Sequence, residues 1–286
     1  MRSIISSFAS TGFSPVVLCP VATEVPPVFK HIERNGALRS NLLAEMQRFR
    51  GSVYLEDHAI LPDELTADGR HRLVIDEYSW HVLTLNKAGA IVACLRFFPE
   101  GNCTRFDELW LRHSALTSSA VWGPVLRQAV EREMTRAERE RIGFGEVGGW
   151  AVSPERRLTA EPLRTILSTY GLLQLLGGCS GLATATRRHD SAPILRRLGL
   201  SALQADGEEL PPYYDPQYRC EMEILRFDSR YPNPKYRAWI GELGTCLSQA
   251  PVISSPLPDH ARRSPRPLPW RSPALPVPVP VPAGAF

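Results

Sequence analysis

The chain has 286 residues, of which 43% are hydrophobic and 22% are charged, and its net charge at pH 7 is +3. This composition is ordinary for a globular protein of one large or two small domains. The net charge is too small to indicate nucleic acid binding, which needs a concentrated basic stripe, and no apolar run is long enough to span a membrane.

The first third of the chain predicts an arm, a helix, a loop and a hairpin. Residues 1–27 contain apolar residues that Pro, Ser and Thr interrupt, which indicates a flexible arm rather than a signal peptide. Residues 28–50 have apolar side chains at helical spacing, and residues 55–72 are polar and rich in turn residues. Two β-type runs, 76–85 and 90–99, flank a short turn and predict a β-hairpin.

The centre of the chain has the order strand, helix, strand, helix. The predicted elements are a strand at 144–152, a helix with Thr159 as N-cap and Gly177-Gly178 as its end, a strand at 181–186 and a basic helix at 190–198. Ser153-Pro154 closes the first strand, and Gly199 ends the last helix. This order predicts a βαβ crossover followed by one more helix. Upstream of it, residues 106–143 predict one or two helices.

The C-terminal part of the chain predicts a strand, a helix and a tail. Residues 220–227 alternate polar and apolar side chains as a half-buried strand does, and residues 234–248 are amphipathic. From Pro251 onward Pro, Ser and Arg dominate, which favours extended polyproline II structure without a core. We therefore expect a flexible arm at 1–27, one α/β domain at 28–248, and a disordered Pro-rich tail at 249–286 with which a partner could associate.

The βαβ order, with small residues and an Arg-rich turn that ends in Leu198-Gly199-Leu200, resembles the core of the GNAT superfamily of N-acyltransferases. The resemblance implies a mixed central β-sheet flanked by helices. It also implies that the first strand of the unit bulges and splays from the second, with the pantetheine arm of the acyl thioester in the gap.

The hairpin resembles a second group of sequences. Its acidic-x-aromatic start at Asp76 and its end at Arg96-Phe97-Phe98-Pro99 are similar to acyl-homoserine lactone (autoinducer) synthases and to long-chain N-acyl amino acid synthases. Those synthases have a second Asp where this chain has Ser79, and an Arg where it has Gly149. Both departures count against a homoserine lactone product and favour a different amine.

The two resemblances imply an enzyme that moves an acyl group, fatty in the matching synthases, from an acyl thioester to the amine of an amino acid or similar small molecule. The thioester of an acyl carrier protein or of CoA would be a co-substrate, and no cofactor would be bound permanently. Two alternatives remain: an autoinducer synthase, and a non-catalytic GNAT-like module that binds a partner.

The candidate catalytic residues are Glu146, Gly149 and Trp150. Glu146 is an isolated carboxylate at the start of an apolar strand, where loss of hydration would raise its pKa and suit it to act as a general base. It could equally be an exposed strand-end residue, although the matching synthases have a Glu here. The Gly148-Gly149 pair makes a bulge easy, and a bulge can free a backbone N–H for an oxyanion; close packing under Trp150 is the alternative.

The candidate substrate-binding residues are Arg50, Asp76, Trp80, His81 and Arg96. Arg96 lies at the end of a buried strand, where an unpaired charge is costly. It either forms a scaffold pair with Asp76 or Glu146, or binds a carboxylate of the acceptor. His81 is either a hydrogen-bonded core histidine or part of the site.

The candidate donor-binding residues are Val152, Arg156, Arg157, Arg188 and His189. CoA-dependent GNAT enzymes carry a Gly-rich turn after the central strand, whereas residues 155–161 contain no Gly to cradle a pyrophosphate. This favours an acyl carrier protein, whose acidic surface the three arginines could meet, although a solvated face is the alternative. His189 starts a helix and could contact pantetheine or phosphate, or lie in the core.

The six cysteines are scattered, with neither Cys-x-x-Cys spacing nor a His at ligand spacing. The sequence therefore predicts neither a metal site nor a disulfide framework, and it favours the reducing cytoplasm.

Overall fold

The computed structural model describes residues 14–101, 105–188 and 190–256. Within these ranges the strands are β1 Ser14–Leu18, β2 His31–Arg34, β3 Trp80–Leu85, β4 Ile91–Glu100, β5 Gly143–Val152, β6 Cys179–Thr186, β7 Ser201–Ala202, β8 Gln204–Ala205, β9 Glu208–Glu209, β10 Tyr213–Asp215, β11 Cys220–Asp228 and β12 Pro251–Ser254. The helices there are α1 Gly36–Glu56, α2 Trp122–Glu140, α3 Glu161–Leu175, α4 Ser191–Leu198 and α5 Arg237–Ser248. Short 3₁₀ turns include Val74–Tyr78, Trp110–His113 and Pro154–Arg156.

The main sheet has the strand order β10-β11-β6-β5-β4-β3-β1-β12-β2, with β7 paired to β11. Strands β5 and β6 are parallel, as are the pairs β1–β12 and β12–β2, while the remaining neighbours in the sheet are antiparallel. The parallel β5–α3–β6 unit is the crossover that the sequence predicts. The predicted mixed sheet flanked by helices is therefore confirmed.

Helices cover both faces of the sheet. On one face α3 and α5 enclose a core that includes Leu95, Phe97, Leu167 and Leu243. Their backbones touch, because a Cβ at Gly171 would lie 2.8 Å from the backbone N of Gly244. The other face carries two separate apolar cores, one that includes residues of α1 and one that includes residues of α2. Polar residues of β3, β4 and β5 lie on this second face.

Strand β5 bulges and then separates from β6. The two strands pair from Gly143 and Cys179 as far as Val147 and Ala183, and β6 continues alone beside β11. Between β4 and β5 the register advances by one extra residue on β5, where Gly149 has a φ of +63°. The predicted bulge and the predicted splay are both present, and Thr184 of β6 is exposed beside the gap although it lies in a central strand.

Two predicted boundaries are wrong. Residues 14–18, expected in a flexible arm, form β1 between β3 and β12, and Val17 and Leu18 are fully buried. Residues 251–254, expected in the tail, form β12 between β1 and β2, with Val252 and Ile253 buried. Pro251 is tolerated because it is the first residue of its strand. The predictions for residues 1–13 and 257–286 lie outside the described residues.

Smaller differences occur near α1 and α2. The segment predicted as one helix from residue 28 contains β2, and α1 begins only at Gly36, where the Asn35 side chain accepts a hydrogen bond from the Leu38 N–H. Residues 106–118 form short 3₁₀ turns rather than a helix. No helix in the described ranges is long and apolar enough to cross a membrane.

Candidate active site

A buried carboxylate, Asp76, organises the polar face of the sheet. Arg50 of α1 binds it with two hydrogen bonds, of 3.0 Å from Nη1 to Oδ1 and 2.7 Å from Nη2 to Oδ2. Arg96 of β4 adds a contact of 3.3 Å from Nη1 to Oδ1, and Gln47 Nε2 and the Leu73 N–H donate to Oδ2. Burial alone would raise the pKa of Asp76, but Arg50 and then Arg96 outweigh it and hold that pKa well below its usual range.

The scaffold pair that the sequence allows for Arg96 is present, with Asp76 as the partner of its Nη1. Arg50 and Asp76 are fully buried and Arg96 nearly so. The Nε of Arg96 has no hydrogen-bond partner among the described residues. Because buried polar groups are usually paired, this N–H is a donor available to a substrate.

Two neutral histidines flank the cluster. The Nε2–H of His81 donates to the Asp76 carbonyl over 2.8 Å, since a carbonyl can only accept. Arg50 Nε donates to His71 Nδ1 over 3.2 Å. Burial, followed for His71 by the charge of Arg50, lowers the pKa of each imidazole to about 4. His81 is thus a hydrogen-bonded core histidine, uncharged at neutral pH, and His71 joins the site without a prediction from the sequence.

Glu146 of β5 is buried, which excludes the exposed strand-end alternative. Its carboxylate accepts hydrogen bonds from the backbone N–H groups of Trp110, over 2.6 Å, and Leu111, over 2.9 Å. Burial raises its pKa, and the Trp110 N–H, the charge of Arg96 and a hydrogen bond with Glu100 oppose that rise only in part. Glu146 therefore both anchors the Trp110–His113 turn and has the raised pKa that a general base needs.

The arginines pack directly against the bulge of β5. A Cβ on Gly149 would lie 3.2 Å from Arg50 Nη1, and one on Gly148 would lie 3.3 Å from Arg96 Nη2. The Tyr54 hydroxyl, one turn beyond Arg50 on α1, donates to the Trp150 carbonyl over 3.3 Å. The bulge, the charged cluster and α1 thus form one contiguous unit.

Trp80 does not join this site, contrary to the prediction. It is adjacent to His81 in β3, and successive side chains of a strand point to opposite faces. Trp80 accordingly lies in the core under α3 and α5, where its ring is 5.9 Å from that of Phe29. Trp150 packs partly buried against the same core, so its backbone, but not its indole ring, borders the charged cluster.

The predicted donor-binding residues lie along the end of β5 and the turn that follows. Val152 is a buried strand residue, and Arg157 forms a bidentate pair with Asp57 at distances of 2.6 and 2.9 Å. Arg157 is therefore held as part of the scaffold. Arg156 is half-buried in the turn and Arg188 is exposed after β6. His189 lies outside the described residues.

The first turn of α3 carries its own carboxylate. Glu161 is buried and forms an ion pair of 2.7 Å with Arg164, which is also buried. Helix N-termini bind anions through their free N–H groups and their dipole, and the negative charge of Glu161 in this first turn opposes the binding of another anion there. In the turn before the helix, Leu158 is fully exposed.

Other residues of the site were missed at the sequence level. Gln47 and Tyr54 lie at helical spacing on either side of the predicted Arg50 on α1, so the polar stripe that the three residues form is a sequence signal for both. Glu100, an isolated carboxylate at the end of the apolar β4, carries the same signal that singled out Glu146. Among the described residues no group of His, Cys, Asp and Glu could hold a metal ion, and the five described cysteines are free.

No protein-family model matches the chain, and a search of curated proteins finds no match. Solved structures do match it. The CoA-dependent acyl-homoserine lactone synthase BjaI, with SAM and isopentyl-CoA, has a TM-score of 0.53 at 16% identity, over 88% of this chain and 98% of that chain. The same synthase with MTA gives 0.52 at 15% identity, over the same shares of the two chains.

The N-acyl amino acid synthase FeeM from uncultured soil microbes has a TM-score of 0.43 at 12% identity, over 76% of this chain and 92% of that chain. Identities this low concern the fold alone, and for the fold the BjaI matches agree with the splayed β5–β6 pair and the mixed sheet. The chain therefore has the GNAT-type α/β fold that the sequence predicts.

Proposed function

We propose that this protein transfers an acyl group from an acyl thioester to the amine of an amino acid or a similar small molecule. The proposal rests on one observation: the buried, charged cluster of Arg50, Asp76 and Arg96 lies directly against the bulge where β5 separates from β6. Such a reaction requires a group that takes a proton from the amine, donors for the oxyanion, and a slot that holds the thioester.

The gap between β5 and β6 suits the donor. Beyond Val147, β5 has no strand partner on its β6 side within the described part of the chain, so backbone groups there can pair with the amides of an extended pantetheine arm, as a strand edge pairs with a peptide. The bulge at Gly149 places an extra peptide group beside this edge. A backbone N–H at the bulge is our candidate donor to the oxyanion.

Glu146 is our candidate base. The substrate ammonium must lose one proton before its nitrogen can attack the thioester carbon, and Glu146 takes it. Collapse of the tetrahedral intermediate breaks the C–S bond, and the leaving thiolate takes the second amine proton. The products are an amide and a free thiol, and Glu146 returns its proton to water.

The charges of the site favour a zwitterionic acceptor. With both histidines neutral, Arg50 and Arg96 balance the carboxylates of Asp76 and Glu146. An amino acid also has no net charge, so its ammonium can meet Glu146 while its carboxylate meets Arg96, whose Nε–H has no partner within the described ranges. A buried site then contains no uncompensated charge before or after binding.

An autoinducer synthase is the second candidate, because the BjaI structure covers 88% of this chain. Two local features oppose it. The hydroxyl of Ser79, where the resembling synthases have an Asp, is buried and donates to the Ile75 carbonyl over 2.6 Å. Gly149, where they have an Arg, faces the guanidinium of Arg50. SAM carries a sulfonium in addition to its amino acid group, and Ser79 supplies no negative charge to balance it.

For the donor we propose an acyl carrier protein rather than CoA. The turn after β5 has no Gly, and Glu161 occupies the helix N-terminus that could otherwise bind a pyrophosphate. Beside it, the exposed Leu158 and the basic Arg156 offer an apolar and a positive contact to an acidic carrier protein. We place the reaction in the cytoplasm, where free cysteines stay reduced.

The test is release of free thiol from acyl carrier protein and from CoA, both loaded with the same acyl chain, in the presence of a panel of amines. The panel contains amino acids, the matching amino acid amides, and SAM, and the products are identified by mass spectrometry. We expect acylated amino acids and poor use of the amides, which lack the carboxylate. A lactone formed from SAM would support the autoinducer synthase, and no thiol release with any pair would support an interaction module.

A further inference from the structure

Two buried carboxyl groups meet on the face of the sheet that α1 and α2 cover. Glu100 ends β4 and Glu146 lies in β5, with exposed fractions of 5% and 8%. In the antiparallel register Phe98 pairs with Glu146, and Glu100 pairs with Phe144. The two glutamates are therefore diagonal neighbours on one face. Their side chains are joined by a hydrogen bond.

A hydrogen bond between two carboxyl groups requires a proton, because an ionised carboxylate can only accept. The surroundings decide which group holds it. Glu146 accepts from two backbone N–H groups, of Trp110 and Leu111, and these favour its ionised form. Because these two N–H groups stabilise a carboxylate on Glu146, Glu100 is the group that holds the proton and donates it.

The other charged and titratable groups near the pair are consistent with a proton on Glu100 and a negative charge on Glu146. Arg96 of β4 attracts the charge on Glu146 and is itself paired with Asp76. From β6 the residue opposite Glu146 is the apolar Leu182. The Trp110–His113 turn faces Glu146 with backbone N–H groups, and the His113 ring contacts the Trp110 ring in a tilted arrangement at the surface of that turn.

We infer that Glu100 and Glu146 act as one carboxyl pair that shares a single proton, and that Glu100 is a positioning residue which keeps Glu146 ionised and ready to accept the proton of the substrate amine. This rests on the proposed acyl transfer. When the amine N–H bond breaks, the new O–H bond forms on Glu146 and the pair holds two protons. One of them passes to water before the next turnover.

The shared proton can be tested without any substrate. A protonated carboxyl group has an infrared C=O band distinct from that of a carboxylate, so the wild-type protein at neutral pH is compared with Glu100→Gln and Glu146→Gln. We expect the wild type to show the band of one buried acid and Glu100→Gln to lack it, whereas Glu146→Gln should keep the band at a shifted position, because Glu100 still holds its proton there. Glu45→Gln, which removes an exposed carboxylate of α1, is the matched control and should keep the band. If the wild type has no such band, or if Glu100→Gln keeps it, the inference is wrong.

The pH–rate profile of thiol release tests the positioning role. Glu100→Ala removes the donor to Glu146, so the pKa of Glu146 should rise and the acidic limb should move up by about one to two pH units, the worth of a hydrogen bond to a charged group. Glu100→Gln retains an N–H donor and should keep the limb near its wild-type position. If the limb stays in place in both variants, Glu100 is only structural. If no thiol is released by any protein, the acyl transfer proposal fails while the infrared result still decides the carboxyl pair.

Discussion

Replacement of Glu146 by Gln separates the structural role of this residue from its proposed role as the base. Three donors converge on the carboxylate: the N–H groups of Trp110 and Leu111 and the hydroxyl of Glu100. Gln presents one acceptor oxygen and an NH₂ group, so at least one donor loses its partner. An unsatisfied buried group costs about 1–3 kcal/mol, which corresponds to a fall in Tm of roughly 2–12 °C for a domain of this size.

The loss of the base should add a separate, larger effect on catalysis. General-base catalysis contributes about 10²- to 10⁴-fold, so kcat should fall on that scale when it is measured at a temperature where the variant is fully folded. Glu133→Gln is the matched control, because this half-buried carboxylate of α2 pairs with Arg136 and Arg226 away from the site. It should lose stability without a loss of kcat. A folded Glu146→Gln variant with kcat within threefold of wild type would refute the assignment of Glu146 as base.

The free energy of unfolding should also depend on pH differently in the wild type and in Glu146→Gln. Burial raises the pKa of Glu146 in the folded protein. Its contribution to stability is therefore fully present below the unfolded value of about 4.3 and is lost as the pH rises through the folded pKa. Glu146→Gln lacks this loss, so its deficit relative to wild type should be largest in acid and should narrow toward neutral pH. Denaturant titrations across this range measure the deficit, and a constant deficit would show that Glu146 does not titrate there.

Three further predictions concern the core, the cluster and the donor surface. Truncation after Ala250 deletes β12 with its buried Val and Ile, at a cost of about 3–6 kcal/mol, and should unfold or strongly destabilise the protein, whereas truncation after Pro256 should leave its Tm unchanged. Asp76→Asn leaves two buried guanidinium groups with too little negative charge and should cost about 3–5 kcal/mol in a denaturant titration; a loss below about 1 kcal/mol would contradict the pairing described above. Arg156→Glu should raise the apparent KM for acyl carrier protein and weaken the salt dependence of that KM. The same charge reversal at the exposed Arg237 of α5 should leave the KM unchanged. If both variants have the same effect, the carrier protein does not dock at Arg156.

The central part of the fold could be predicted because its signals are local. Ser153-Pro154 and the Gly177-Gly178 pair mark the ends of β5 and α3, and the Gly148-Gly149 pair marks the bulge. Strands β1 and β12 have no such signal. Each is a short apolar run next to proline, and they pair with each other across more than 200 residues of chain, which no local pattern encodes.

The site was predictable only in part, for a related reason. Asp76 and Arg96 flank one hairpin, so their pairing could be listed among the alternatives from the sequence. Arg50 completes the cluster from α1, which reaches β5 only through tertiary packing. For Trp80 the prediction included a residue that lies outside the site. Strand alternation places Trp80 and His81 on opposite faces of the sheet, but the sequence does not say which face carries the site.

The position of Gly149 connects the fold with the choice of acceptor. An L-residue there would be strained at a φ of +63°, and its Cβ would lie 3.2 Å from Arg50 Nη1. The positive charges of Arg50 and Arg96 are already balanced by the carboxylates of Asp76 and Glu146. An Arg at position 149 would add a third guanidinium without a carboxylate to balance it. The bulge can therefore be this tight only because the residue is Gly. With Gly at position 149, Arg96 remains the guanidinium beside the gap. Its Nε–H has no hydrogen-bond partner among the described residues, so Arg96 is the group that we expect an acceptor carboxylate to bind.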